Sequence, residues 1–274
     1  MNLLQALILG IVQGATEFLP ISSSGHLVLV PWLLGWDFEP KAAFVFDVLV
    51  QWGTIVAVIA YFWRDLYALA RAWLLGLFKR EPFADPQAKL AWLLLLATLP
   101  AALLGILLKS TVESTFDQPL TVSLFLLGTA ALLYFAERGS RPFKTMQVVT
   151  WIDSLWIGLA QSLALFPGIS RSGATIAGGL FRGLERAEAA RFSFLLSVPA
   201  MLGAGVIALT DLFNSATIAE QVAPLLVGFV AASVTGFVAI HWLLRYLQRR
   251  RLYVFSIYCV VIAMGGIALY ALRS

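Results

Sequence analysis

The chain has 274 residues, 60% of them hydrophobic and 12% charged, with a mean hydropathy of +0.87. That is more apolar surface than one soluble core of this length needs and too little charge to solvate it, so the bilayer is the expected solvent. The net charge of +4 comes from Lys and Arg gathered in short segments between apolar runs, which argues against nucleic acid as a partner, and the single Cys259 excludes a disulfide framework or a cysteine metal site within one chain.

The opening Met-Asn-Leu-Leu-Gln lacks the basic region and cleavage site of a signal peptide and reads as mature sequence. The first apolar stretch, residues 3–31, is interrupted by Gly, Pro and Ser and predicts a broken or re-entrant helix pair. Stretches long enough to cross a hydrocarbon core of about 30 Å follow at residues 42–62, 90–108 and 120–135. A second interrupted stretch, 151–180, predicts another broken pair, and further spans follow at 192–209, 224–244 and 253–272. The expected fold is thus an all-α polytopic membrane protein with six full spans and two broken pairs.

Lys and Arg set the orientation. The segments with Arg64, Arg71, Lys79, Arg80 and Lys89, with Arg138, Arg141 and Lys144, and with Arg245, Arg249, Arg250 and Arg251 are expected in the cytoplasm. Residues 110–119 and 210–223 hold no Lys or Arg and are expected outside.

The chain also resembles itself when displaced by 148 positions: Gly10 then meets Gly158, Gln13 meets Gln161, Phe18 meets Phe166, Ile21 meets Ile169, Ser22 meets Ser170, Ser24 meets Ser172 and Gly25 meets Gly173. The match continues through Gly35 with Gly183, Ala42 with Ala190, Phe44 with Phe192, Phe46 with Phe194, Ile59 with Ile207 and Ala60 with Ala208. Residues 1–149 and 150–274 read as two repeats, each a broken pair followed by three spans. Three is odd, so the second repeat is expected upside down relative to the first, an architecture in which half-helix ends meet near the midplane.

The first break reads Gln13-Gly-Ala-Thr-Glu17-Phe-Leu-Pro20-Ile-Ser22-Ser23-Ser24-Gly25-His26, and the second Phe166-Pro167-Gly168-Ile-Ser170-Arg171-Ser172-Gly173-Ala-Thr175. Gln13 and Glu17 share a helix face, Pro20 disfavours helix at Leu19, and the serines are N-cap candidates for a restarted helix. Free N–H groups at two facing helix starts, with Arg171 and several hydroxyls, suit a diphosphate. Glu17 is a candidate base or metal ligand, or the counter-ion of Arg171, and His26 titrates near neutrality. A Ser-rich break alone equally serves to satisfy backbone, but ionisable groups at membrane depth in paired breaks point to function. Asp47 and Gln51 share a face of the next span, with Asp47 either interfacial or part of the site. His241, beside Arg245, and the Trp residues near span ends read as interfacial or packing groups. No Gly-x-x-x-x-Gly-Lys-Ser/Thr loop, His-Glu-x-x-His pair or Gly-x-Ser-x-Gly elbow is present, which argues against ATP hydrolysis, zincin proteolysis and α/β-hydrolase chemistry.

Gln13-x-x-x-Glu17, Pro20-Ile-Ser-Ser-Ser-Gly-His26 and Pro167-Gly-Ile-Ser-Arg-Ser-Gly-Ala-Thr175 resemble the signature motifs of bacterial undecaprenyl-diphosphate phosphatase, the bacitracin-resistance protein family. The resemblance runs along the whole chain, including Phe46-Asp-Val-x-x-Gln51-x-Gly53 and Phe192-Ser-Phe-Leu-Leu-x-Val-Pro199. It implies hydrolysis of undecaprenyl diphosphate to undecaprenyl phosphate and inorganic phosphate, recycling the carrier for cell-wall synthesis at the outer face of the bacterial cytoplasmic membrane, with a divalent cation, Mg²⁺ or Ca²⁺. It implies Glu17 as base or, with Gln13, metal ligand. Arg171 would hold the diphosphate with Ser170, Ser172 and Thr175, and the nucleophile would be Ser23 or His26. Ser22 and Ser24 join the expected substrate-binding set. A prenyl-phosphate flippase is the alternative, because an inverted repeat commonly supports alternating access. Partners are the prenyl diphosphate and membrane lipid, with a homodimer left open.

Overall fold

The computed structural model describes residues 1–115, 118–213 and 222–273. Among them every regular element is a helix, and one isolated bridge joins Lys144 and Leu184. Both predicted breaks are present. Helix α1 (Leu3–Phe18) starts at an Asn2 cap whose side chain accepts from the Gln5 N–H, and stops with Leu19 extended, at φ −66° and ψ 141°. The cause is Pro20, whose ring crowds the preceding residue out of the helical region. Helix α2 (Ser23–Leu34) restarts after the break and ends at Gly35, whose φ of +65° provides the left-handed cap.

Then follow α3 (Pro40–Tyr61), α4 (Trp63–Phe78), α5 (Pro86–Leu107), the short α6 (Lys109–Glu113) and α7 (Pro119–Gly139). The second broken pair is α8 (Trp151–Leu163), opened by a Thr150/Asp153 capping box, and α9 (Arg171–Phe181). The chain ends with α10 (Arg186–Phe213), α11 (Val222–Leu247) and α12 (Tyr253–Arg273).

Five helices, α3, α5, α7, α11 and α12, are long and apolar enough to cross a membrane, so the protein is an all-α, multi-pass membrane protein. The sixth expected span falls within α10, and the side chains at 204 and 206–213, Ile207 and Ala208 among them, lie outside the described residues. So do most of the acidic connection 210–223 and two positions of the 110–119 connection. The segment from Arg64 to Lys89, expected only as a connection, folds largely into α4. Its exposed Trp63, Tyr67, Leu74 and Phe78 recur at helical spacing, with Arg64 and Arg71 flanking them and Arg64 over the Trp63 ring, a pattern suited to lying in the membrane interface.

Helix pairing positions the breaks. α1 packs along α11 and α8 along α5, α3 lies against both α11 and α10, and α7 lies against α12. Between apolar helices in lipid, association depends on close packing rather than on expulsion of water, so small residues at contacts matter most. A Cβ on Gly10 would sit 2.5 Å from the Gly228 carbonyl oxygen, and one on Gly158 would sit 2.5 Å from that of Ala97. Gly10 and Gly158 are partners in the 148-residue displacement, so matched glycines admit a close backbone approach in each broken pair.

At the basic end, buried carboxylates tie the helices together. Asp153 pairs with Arg182 at 2.7 Å and Lys144 at 3.2 Å. Glu137 accepts from Arg186 and from the Leu252 N–H, and Arg191 pairs with Asp65. His241 accepts from or donates to the Tyr61 hydroxyl at 3.2 Å and packs near that ring, a contact role as expected.

Candidate functional site

The two breaks touch. A Cβ on Gly25 would lie 3.3 Å from the Gly168 Cα, and the Ser172 hydroxyl donates across to the Leu19 carbonyl at 3.0 Å. Gly168 has φ +103° and its missing side chain admits the Val122 carbonyl of α7, so a side chain here would be both strained and obstructed.

Each half-helix begins with the same cap. The Ser22 hydroxyl oxygen accepts from the Gly25 N–H at 3.2 Å, and that of Ser170 accepts from the Gly173 N–H at 3.0 Å. The first positions inside the caps are Ser23 and Arg171, again partners in the displacement, and here the repeats diverge. Both converge on Glu17, which has no acidic counterpart because Leu165 occupies the matching place. Ser23 Oγ donates to Glu17 Oε2 at 2.5 Å, Arg171 donates to Oε1 at 2.8 Å, and Gln13 Nε2 donates to Oε2 at 2.9 Å. The carboxylate is buried, its side chain 8% exposed against 19% for Arg171. Three donors offset the cost of holding it in a poorly hydrated place.

These groups open onto a cavity of about 270 Å³, walled by Gln13, Glu17, Ser22, Ser23, Ser24, Leu27, Val28, Asp47, Gln51, Ala164, Ile169, Ser170 and Arg171. The structure therefore brings together ten of the twelve residues singled out from the sequence: Gln13, Glu17, Ser22, Ser23, Ser24, Asp47, Gln51, Ser170 and Arg171 on the wall, and Ser172 bridging the breaks just behind it. Asp47 stands in the wall beside Gln51, one helical turn on. Thr175 points elsewhere: its hydroxyl bonds the Arg171 carbonyl at 2.8 Å and the Ser193 hydroxyl of α10 at 2.6 Å, so it braces α9.

His26 is likewise outside the wall. Its Nδ1 lies 2.7 Å from the Ser22 carbonyl, an acceptor only, so the ring proton belongs on Nδ1 and Nε2 accepts from the Tyr258 hydroxyl of α12 at 2.8 Å. The contact holds Ser22 at φ +70°, an uncommon value for a residue with a side chain. Thr129 of α7 plays a similar part in the second break, accepting from the Ser170 N–H at 2.9 Å while donating to the Gly168 carbonyl at 2.8 Å. Tyr258 and Thr129 carry no motif and sit within ordinary apolar spans, so local sequence offered no sign of them, and the Phe192–Pro199 stretch that holds Ser193 did not mark it as a partner of Thr175.

Among the described residues no three His, Cys, Asp or Glu side chains gather into a metal-binding group. Both oxygens of Glu17 are engaged by protein donors, whereas Asp47 has no hydrogen bond or ion pair among the described residues. A cation here would fit only if it drew most of its ligands from substrate oxygens and water, which is the usual way Mg²⁺ is held. A larger cavity, about 620 Å³, lies at the basic end between α4, α5, α10 and residues 146–149, and none of the residues singled out from the sequence line it.

Comparison with known proteins agrees with this geometry. The family described as Bacitracin resistance protein BacA matches residues 6–265. Similar proteins named undecaprenyl-diphosphatase include one from Methanosphaera stadtmanae, 43% identical over 98% of this chain and 98% of its own length. One from Thermomicrobium roseum is 42% identical over 96% of each chain. One from Myxococcus xanthus is 44% identical over 100% of this chain and 90% of its own. With paired Ser-capped breaks meeting on one carboxylate, and a match over nearly its entire length, the chain belongs to the bacitracin resistance protein BacA family.

Proposed function

We infer that the protein hydrolyses undecaprenyl diphosphate to undecaprenyl phosphate and inorganic phosphate, and so contributes to bacitracin resistance and to recycling of the carrier lipid. The observation that carries the reading at the level of chemistry is the 2.5 Å hydrogen bond from Ser23 Oγ to Glu17 Oε2, on the wall of a cavity that also holds Arg171. A hydroxyl is a poor nucleophile until a base takes its proton, and Glu17 is placed to do so. Ser23 Oγ attacks the terminal phosphorus as its proton passes to Glu17, and the bond from that phosphorus to the bridging oxygen breaks, releasing undecaprenyl phosphate. Water then attacks the phosphoserine, Glu17 returns its proton to the departing Ser23 Oγ, and inorganic phosphate leaves with the hydrogens of the water, restoring both serine and carboxylate.

Arg171 offers its remaining N–H groups to the phosphoryl oxygens, and Ser22, Ser24 and Ser170 line the same space. Two donor-rich helix starts stabilise charge developing on those oxygens. A divalent cation held by a wall carboxylate together with substrate oxygens and water would further neutralise the diphosphate. Of the two nucleophile candidates, Ser23 is favoured, because both His26 nitrogens are engaged behind the wall. His26 instead sets the backbone of Ser22 and hence the direction of Ser23. A pure flippase would have no use for a hydroxyl seated on a buried base, so that alternative is the weaker one.

The reading extends to architecture and location. Residues 1–149 and 150–274 form an inverted pair of repeats, supported by the matched caps, glycines and helix pairings. The protein sits in the cytoplasmic membrane with its basic ends inward and the cavity open outward, supported by the place of Asp47 near the start of α3, away from the basic loops. The test is phosphate release from a prenyl diphosphate in detergent, with and without EDTA. Metal-dependent release by the wild type that Arg171→Ala abolishes is expected, and no release by folded wild type would overturn the reading.

A further inference from the structure

The charges on the cavity wall do not suit its ligand as they stand. Of the wall residues only Glu17, Arg171 and Asp47 are charged. Glu17 and Arg171 neutralise one another at 2.8 Å, leaving Asp47 as the wall carboxyl without an ion-pair partner among the described residues. A prenyl diphosphate brings two or three more negative charges into the same space of about 270 Å³. Like charges that close, in surroundings less polar than water, repel strongly, and a bound cation reverses the sign of the interaction.

We propose that Asp47, assisted by the side-chain oxygen of Gln51, is the protein's anchor for the divalent cation, which it shares with the substrate diphosphate. The proposal rests on the phosphatase reading and assigns the metal to a different carboxylate from the Gln13/Glu17 pair that the motif suggests. Three observations favour Asp47. Glu17 has no free oxygen, and freeing one would break its contact with Arg171 or with Ser23, the group it must deprotonate. Asp47 and Gln51 lie one turn apart on α3 and face the cavity together, and neither side chain has a hydrogen bond or ion pair among the described residues. Finally, a carboxylate and an amide oxygen on the same cavity wall as Arg171 stand where a cation could be completed by phosphate oxygens and water, the usual way Mg²⁺ is held. It follows that metal and diphosphate bind cooperatively: each is a weak ligand alone, and each tightens the other by the same factor.

The test uses full-length protein in detergent, with Mn²⁺ as the probe metal followed by its electron paramagnetic resonance signal, titrated with and without a farnesyl methylenediphosphonate that cannot be hydrolysed. In the wild type the diphosphonate should tighten Mn²⁺ binding about 5–150-fold, the usual range of such coupling. Asp47→Asn, nearly isosteric, should reduce that to about twofold or less, while Glu17→Gln should retain most of it. Asp47→Glu, which keeps the charge, should recover part of the coupling and shows that the loss is not misfolding. Full coupling in Asp47→Asn, or loss confined to Glu17→Gln, would overturn the proposal. The same preparations are assayed for phosphate release: folded wild type with no release refutes the phosphatase reading itself, whereas release with Mn²⁺ coupling intact in Asp47→Asn refutes only the role of Asp47.

Discussion

Replacing Arg171 with Met separates the structural from the chemical part of its role. In the wild type Glu17 receives one charged and two neutral donors in a place where its side chain is 8% exposed. Removing one partner of a buried ion pair typically costs about 3–5 kcal/mol, because the remaining charge is left uncompensated. Ser23 and Gln13 stay in place, and the cavity admits water, so the loss should fall near the lower figure, roughly 3 kcal/mol. At about 2–4 °C per kcal/mol for a chain of this size class, thermal unfolding in detergent should drop by roughly 6–12 °C. Adding Glu17→Gln removes the stranded charge, and the double variant should recover on the order of 2 kcal/mol relative to Arg171→Met alone. Activity should not return with it: phosphate release should remain at least about 10²-fold below wild type, since a donor to the developing phosphoryl charge is still missing. The reasoning fails if Arg171→Met unfolds like wild type, or if the double variant is no more stable than the single.

Further outcomes are expected from other residues. Ser23→Ala should lower kcat by roughly 10⁴–10⁶-fold with little change in KM, as loss of a nucleophile does. Tyr258→Phe, which removes one neutral hydrogen bond to His26, should cost about 0.5–1.5 kcal/mol in unfolding and less than about tenfold in kcat; a loss as deep as that of Ser23→Ala would return His26 to the role of nucleophile. Gly10→Ala and Gly158→Ala each place a methyl 2.5 Å from a facing carbonyl oxygen and should destabilise by about 1–3 kcal/mol, measured against Gly105→Ala, where the nearest atom is a flexible Leu165 methyl at 3.4 Å. Burial alone would raise the Asp153 carboxyl, but hydrogen bonds from Thr150, Arg182 and Lys144 outweigh it and hold its pKa at about 2. A depressed carboxyl stabilises the fold fully above its ordinary value near 3.8 and progressively less as pH falls toward 2. Unfolding temperatures between those values should therefore fall more steeply for wild type than for Asp153→Asn, and parallel curves would refute the link.

Much of this was legible in the sequence because membrane depth restricts what the backbone can do. Pro20 and the serines after it announce a helix that stops and restarts, and the 148-residue displacement announces that this happens twice. Glu17, Ser23 and Arg171 could be named as site residues for the same reason. Glu17 could also be offered as the counter-ion of Arg171, but nothing local tells that Ser23 and Arg171, 148 positions apart, both reach for that one carboxylate. His26 could be named as a candidate nucleophile because chemistry assigns the imidazole a reactive role, while its neighbours, the Ser22 carbonyl and Tyr258, are fixed by packing across the bundle and had no local sign. Thr129, Ser193 and Tyr258 escaped for a related reason: a hydroxyl in an apolar span is common, and only tertiary contact reveals which ones serve the breaks. Helix α4 was hidden by its charges, which mark a cytoplasmic segment equally well whether it is coil or an interfacial helix.

The clamp on Glu17 also bears on how the protein comes into being. Its carboxylate and Ser23 are synthesised early and Arg171 much later, after three intervening spans have entered the bilayer. Until α9 docks, the nascent chain holds an acid and a hydroxyl but no cationic group to draw a diphosphate onto them, so partly inserted chains are chemically silent. Competence therefore waits on the meeting of α9 with α1, where Arg171 reaches Glu17. A cell that expresses the halves as separate polypeptides should accordingly gain activity only where the two find one another in the membrane, making hydrolysis itself a report of correct assembly.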